Sequence, residues 1–179
     1  MNIKGHKISV EVPYFTIDLS EYEHELNLAR KAVEELQATE PSINSNVKSI
    51  YTSPYDSHKR NDKLLPLCQL VTKICGFVTK NALGQKLEFS IVNCWTSIYE
   101  PGDFTNPHTH WPSLFGVVIY LESDEDSSPL ILENQMNVPA TKNSMVILPG
   151  WVEHEVCETP TKRVVIAMNL AVLFDKTID

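Results

Sequence analysis

The sequence has no long hydrophobic run. No stretch reaches the roughly 18 consecutive apolar residues that a membrane-spanning helix needs, so a membrane partner is not expected for its 179 residues. The opening MNIKGHKISVEVPYF lacks the basic, then apolar, then small-residue order of a secretory signal, and a cytoplasmic setting is expected. There is no Cys-x-x-Cys pair. Cys68, Cys75, Cys94 and Cys157 are scattered, mostly in apolar runs, the usual setting of reduced core thiols, which sets aside a disulfide framework and a structural zinc. Positive charge is short: 15 Lys and Arg stand against 23 Asp and Glu, for a net charge of −8. Nucleic acid is therefore not an expected partner, because its binders concentrate basic residues. No repeat, low-complexity tract or Gly/Ser-rich linker divides the chain, and a single domain over 1–179 is expected.

What is present changes in character halfway. Residues 1–85 read as a short strand and two supporting helices. Ser20 and Glu23 have capping-box spacing, and Tyr22, Leu26, Ala29, Val33 and Leu36 then form one apolar stripe. After a polar stretch around 39–60, Asn61 or Asp62 can cap a second helix with Pro66 in its opening turn. Its apolar positions are Leu64, Cys68, Val71, Ile74, Cys75 and Val78, and Gly84 is its stop. Residues 86–174 read as β: KLEFSIVNCWTSIY, LFGVVIYLE, PLILE, SMVILP and RVVIAMNLAVLF are β-branched and aromatic runs between turn residues. Helices followed by an all-β half predict a mainly β fold with the helices on one outer face and the opposite mouth open.

Three histidines fall at telling places, His108 and His110 in NPHTHW and His154 in LPGWVEHEV. On an extended segment, residues two apart point to the same side. His154, just after SMVILP, could reach the same point from a neighbouring strand. Three protein ligands on one side of an ion leave coordination positions open for substrate or dioxygen. Imidazole suits Fe(II), Zn, Ni and Cu alike, whereas a lone HxH is most often solvated. Arg163, nine residues after His154, is either a surface charge or a guanidinium placed to pair with a carboxylate ligand, with Tyr120 able to add a hydroxyl.

In the order YEPGDFTNPHTH, FGVVIYLE, SMVILPGWVEHEV and RVVIAMNL, the chain resembles the Fe(II)/2-oxoglutarate-dependent oxygenases, particularly their prolyl-hydroxylase-like branch and its bacterial and phage relatives. The resemblance implies a double-stranded β-helix (jelly-roll, cupin-like) core over 86–174. It also implies Fe(II) as metal, 2-oxoglutarate and dioxygen as co-substrates, and oxidative decarboxylation coupled to hydroxylation of a further substrate. The setting would be the cytoplasm of a bacterium or of a phage-infected host cell. It makes His108 the first metal ligand, puts His110 where an Asp or Glu usually stands, and makes His154 the distal ligand. Arg163 takes the place of the residue that binds the far carboxylate of 2-oxoglutarate, assisted by Tyr120, with Tyr99 and Asn169 as further contributors to the co-substrate pocket. Neither Asp103, Glu153 nor Glu155 is expected to reach the metal.

A cupin-type three-histidine metalloenzyme that does not use 2-oxoglutarate is the alternative. Gly102 stands six residues before His108 as a cupin motif would have it, but the glutamate expected after the pair is missing. A third reading is a catalytically idle binding or structural protein on the same fold. The substrate is not legible: its contacts are expected from residues 39–60, 103–113 and 123–142, and Trp111 and Trp151 are as much rim packing as stacking residues. The acidic loop at 122–128 reads as a solvated turn. Val10, Val12, Tyr14 and Phe15 suggest an edge strand pairing within the sheet or across a homodimer, and the sequence leaves both open.

Overall fold

The computed structural model describes residues 1, 3–6 and 10–173. In chain order they form β1 (Phe15–Asp18), α1 (Glu23–Thr39), β2 (Val47–Lys48), β3 (Tyr51–Thr52), α2 (Ser57–Arg60) and α3 (Leu65–Leu83). There follow β4 (Phe89–Tyr99), β5 (Phe104–His108), β6 (Phe115–Glu122), β7 (Leu130–Leu132), β8 (Met136–Val138), β9 (Ser144–Pro149), β10 (His154–Val156) and β11 (Arg163–Val172). Phe174, at the end of the last expected strand, lies outside the described residues. The strands make two antiparallel sheets. One has the order β1-β9-β6-β11-β4-β3, the other β2-β5-β10-β7-β8. With helices packed against one of them, this is the double-stranded β-helix, or jelly-roll, architecture.

Alternation along β4, β6 and β11 feeds two cores at once, because successive side chains of a strand point to opposite faces. One parity, with Cys94, Ile98, Val117, Ile119, Leu121, Val164, Ile166, Met168 and Leu170, packs against the helices. The other parity, with Tyr99, Val118, Tyr120 and Val165, faces the second sheet. The α1 stripe buries Leu26, Ala29, Val33 and Leu36 as expected, with Ala32 beside them. In α3, Cys68, Val71 and Cys75 are buried together with Leu67. A 3-10 turn, Asp62–Leu64, precedes α3, with the Asn61 side chain accepting from the Lys63 amide, and Gly84 closes α3 in the left-handed conformation at φ 69°.

Four local expectations are corrected. The capping box does not form: α1 begins at Glu23 with Tyr22 as its cap residue and no side-chain cap bond. Asp18, at the end of β1, draws both the amide and the hydroxyl of Ser20 onto its carboxylate, at 2.8 and 2.6 Å, and so spends the capping group on a turn. The stretch 39–60 is not plain loop. It contributes β2, β3 and α2, which adds one strand to the edge of each sheet. The edge strand near the N-terminus lies further along than expected, since β1 pairs Phe15–Asp18 with Ser144–Ile147 of β9 within the sheet while Val10 and Val12 are exposed. Finally, His110 is not on the extended segment with His108, because β5 ends at His108.

Candidate metal centre

Two strands of the smaller sheet bring the first pair of histidines together. His108, the last residue of β5, lies directly across from His154, the first residue of β10, and their rings are 4.2 Å apart. His110 arrives from the loop beyond β5. Its amide donates to the Gly150 carbonyl at 2.7 Å, and its own carbonyl accepts from the Ser113 amide at 2.9 Å. The imidazole then lies over Gly116 of β6. A Cβ at Gly116 would overlap that ring, and one at Gly150 would run into the Ser113 carbonyl. Both positions therefore need glycine for close approach.

The ring nitrogens are sorted by hydrogen bonding. His108 can donate from Nδ1 to the Asn106 carbonyl (2.9 Å) and His154 from Nδ1 to the Val152 carbonyl (3.0 Å), which leaves the Nε2 lone pair of each available. Nε2 of His110 lies 3.1 Å from Nε2 of His154. Two nitrogens each about 2.1 Å from one ion and at right angles would stand about 3.0 Å apart, so the spacing suits adjacent ligands. One ligand atom from each of the three histidines falls within 4.8 Å of the others, and no carboxylate joins the cluster among the described residues. Asp103 is engaged elsewhere, accepting from the amides of Ile50 and Glu100.

Burial keeps the three rings neutral, which is the ligand form. It pushes His110 down to about 3, with the neighbouring His154 and His108 adding to the shift. It pushes His154 down to about 4, with His108 adding, and lowers His108 as well.

Beneath the cluster a cavity runs between the sheets, lined by the three histidines together with Trp95, Tyr99, Thr105, Tyr120 and Arg163. Cross-strand register arranges its floor in rows. Arg163 sits beside Tyr99, Val165 between Ser97 and Tyr120, Ala167 between Trp95 and Val118, and Asn169 between Asn93 and Gly116. Arg163 is 2% exposed, and its guanidinium stacks 4.3 Å over the Tyr99 ring. It donates to the Ser128 carbonyl at 3.0 Å, while its Nε is buried without a partner. No carboxylate within ion-pairing distance of it is found among the described residues. The Tyr120 hydroxyl is likewise buried and unpartnered, and burial pushes its pKa up to about 12. The Tyr99 hydroxyl shares a 2.7 Å hydrogen bond with Thr105. An uncompensated buried guanidinium beside an orphaned phenol is costly, and the pair suits an anionic, carboxylate-bearing ligand.

The structure thus brings His108, His110, His154, Arg163, Tyr120 and Tyr99 to one cavity. Asn169 occupies the far row of the same floor and lines an adjoining outer depression rather than this cavity. Trp95 and Thr105 line the cavity and were not singled out in the sequence. The inward parity of β4 was the signal available for Trp95, and none marked Thr105.

No family model matches this chain, and no curated protein is similar to it in sequence. Solved structures are similar to it in fold. A prolyl-4-hydroxylase of Pseudomonas putida superposes with a TM-score of 0.67 at 14% identity, covering 91% of this chain and 94% of that one. A 2OG-Fe(II) oxygenase family oxidoreductase from Burkholderia pseudomallei gives 0.56 at 18% identity, over 80% and 77%. The non-heme alpha-ketoglutarate-dependent epimerase SnoN from nogalamycin biosynthesis gives 0.69 at 11% identity, over 89% and 77%. At these identities the likeness is one of fold. The chain therefore has the fold of the 2-oxoglutarate/Fe(II) oxygenases and, inside it, a three-histidine cluster suited to a metal ion.

Proposed function

We propose that this chain is a three-histidine metalloenzyme of the oxygenase type, in which His108, His110 and His154 hold one Fe(II) ion for dioxygen chemistry on an organic substrate. The observation that carries this reading is the convergence of three neutral imidazoles, two of them oriented by Nδ1 bonds to backbone carbonyls. A divalent ion bound there supplies Lewis acidity and electron transfer toward dioxygen. The residues around it do the rest. The Asn106 and Val152 carbonyls hold two rings in place, Gly116 and Gly150 let the third approach, and Trp95 with Val118 and Val165 limits water in the cavity. Having imidazole in place of a carboxylate leaves the centre one unit more positive, which favours Fe(II) over Fe(III). In this reading the reaction needs no keto acid.

A second reading, 2-oxoglutarate-dependent hydroxylation, is favoured by a different observation, the orphaned Arg163 Nε and Tyr120 hydroxyl. In that reading Arg163, held by Tyr99, pairs with the distal carboxylate, and the neutral Tyr120 phenol donates to it.

An anaerobic titration of the Fe(II)-loaded protein with 2-oxoglutarate tests both readings. A saturable visible charge-transfer band that is lost in Arg163→Gln with iron retained selects the second. Iron bound at one equivalent with no band selects the first. Failure to bind any divalent metal overturns both in favour of an idle protein on this fold.

A further inference from the structure

Beside the metal centre, on the side away from Arg163, lies an open-mouthed depression that shares His108, His110 and Trp95 with the inner cavity. Its chemistry is the opposite of the Arg163 end: none of its lining residues is Lys, Arg, Asp or Glu. Three asparagines, Asn46, Asn93 and Asn169, supply the polarity, and Tyr55, Trp95 and Trp111 supply the aromatic walls. The Tyr55 ring meets Trp95 edge-on at 5.1 Å, and Trp111 stands at the rim, 72% exposed.

The amides are incompletely used. Asn169 donates from Nδ2 to Oδ1 of Asn93 at 3.2 Å, which leaves Asn169 Oδ1 buried with no donor. Asn46 Nδ2 is buried with no acceptor. If the Asn93–Asn169 pair is turned end for end, it still shows one free donor and one free acceptor. A buried acceptor and a buried donor left unpaired at the same depression are costly unless a ligand satisfies them.

We propose that this depression binds an uncharged substrate through a carboxamide carrying at least one N–H, held flat against the aromatic walls beside the histidine cluster. Such a group offers the carbonyl that Asn46 lacks and the N–H that Asn169 lacks, in one plane that can stack on an indole. A tertiary amide, which has no N–H, leaves Asn169 unsatisfied. A carboxylate or phosphate meets no Lys or Arg side chain here. That the bound group is the one acted on rests on the metal-centre reading, whereas the recognition chemistry does not.

Nicotinamide is compared with nicotinate, which replaces the carboxamide by a carboxylate, and with N,N-dimethylnicotinamide, which removes both N–H groups while adding two methyl groups. Their affinities for the metal-free and the Zn(II)-loaded protein are to be measured by ligand-observed NMR titration, which requires neither turnover nor 2-oxoglutarate. Nicotinamide is expected to bind about tenfold or more tightly than either analogue, and Asn169→Leu and Asn46→Leu are each expected to weaken it about tenfold with zinc content and circular dichroism unchanged. Equal or tighter binding of nicotinate by the metal-free protein, no binding of nicotinamide, or unaltered nicotinamide affinity in both variants would overturn the proposal. Discrimination among the probes in protein that takes up no zinc would support the carboxamide site and overturn the metal reading instead.

Discussion

The two cores of this molecule share the strands of the larger sheet and are chemically unlike. The core between the helices and the larger sheet is made of Leu, Ile, Val, Ala, Met, Cys and aromatic side chains, chiefly from α1, α3 and one parity of β4, β6, β9 and β11. The core between the sheets is smaller, and polar side chains interrupt it: Arg163, Thr105, Ser97, His110 and His154 are all buried there or at its edge. Burial of apolar area stabilises the first face. The second leaves polar atoms unpaired, a local cost that the first face must offset. Stability and chemistry are thus separated across a single sheet by the pleat.

Substitutions on the two faces should behave differently. The largest effect expected is that of His154→Ala, which should lower divalent-metal affinity on the order of a thousandfold or more by removing one of three ligands. Zinc calorimetry checks this, and near-normal affinity would mean that the metal set is wrongly drawn. On the opposite face of the same sheet, Ile119→Ala should cost about 2–5 kcal/mol in urea unfolding while metal affinity per folded molecule stays the same. A parallel loss of metal affinity would show that the two faces are coupled.

Acid should separate the faces as well. The folded-state pKa values of His110 and His154 are depressed, so below about 6.5 the unfolded chain binds more protons than the folded one. Stability of the metal-free protein should therefore fall as pH drops from about 6.5 towards 4, by up to about 1.4 kcal/mol per pH unit for each histidine. Chemical denaturation across that range measures the slope, and His110→Phe should flatten it. Gly116→Ala should displace the His110 ring and weaken metal binding about tenfold to a hundredfold, with a smaller change in unfolding free energy. The smallest effect expected is that of Tyr120→Phe. It removes a hydroxyl that has no partner and should change stability by less than about 1 kcal/mol. In the 2-oxoglutarate-dependent reading it should also weaken co-substrate binding several-fold.

The β half was legible because its long strands are dense in β-branched and aromatic residues: β4, β6, β9 and β11 all lie within the runs picked out. The shorter β5, β8 and β10 were not. FTNPH and MNV lack the alternation that marks a half-buried strand, and they exist because neighbouring strands offer them partners. At the N-terminus of α1 a valid capping signal lost to a nearer carboxylate, that of Asp18.

At the site, the sequence by itself determined which residues could be ligands. His108, His110 and His154 are there to be read, as is Arg163, because residue chemistry and spacing are local properties. The pairing of His108 with His154 across two strands, the seat of His110 over Gly116, and the row of Asn93, Asn169 and Gly116 were decided only by tertiary structure. Alternation along a strand tells which side chains share a face. Which strand lies alongside, and in what register, is set by long-range packing that no local pattern encodes.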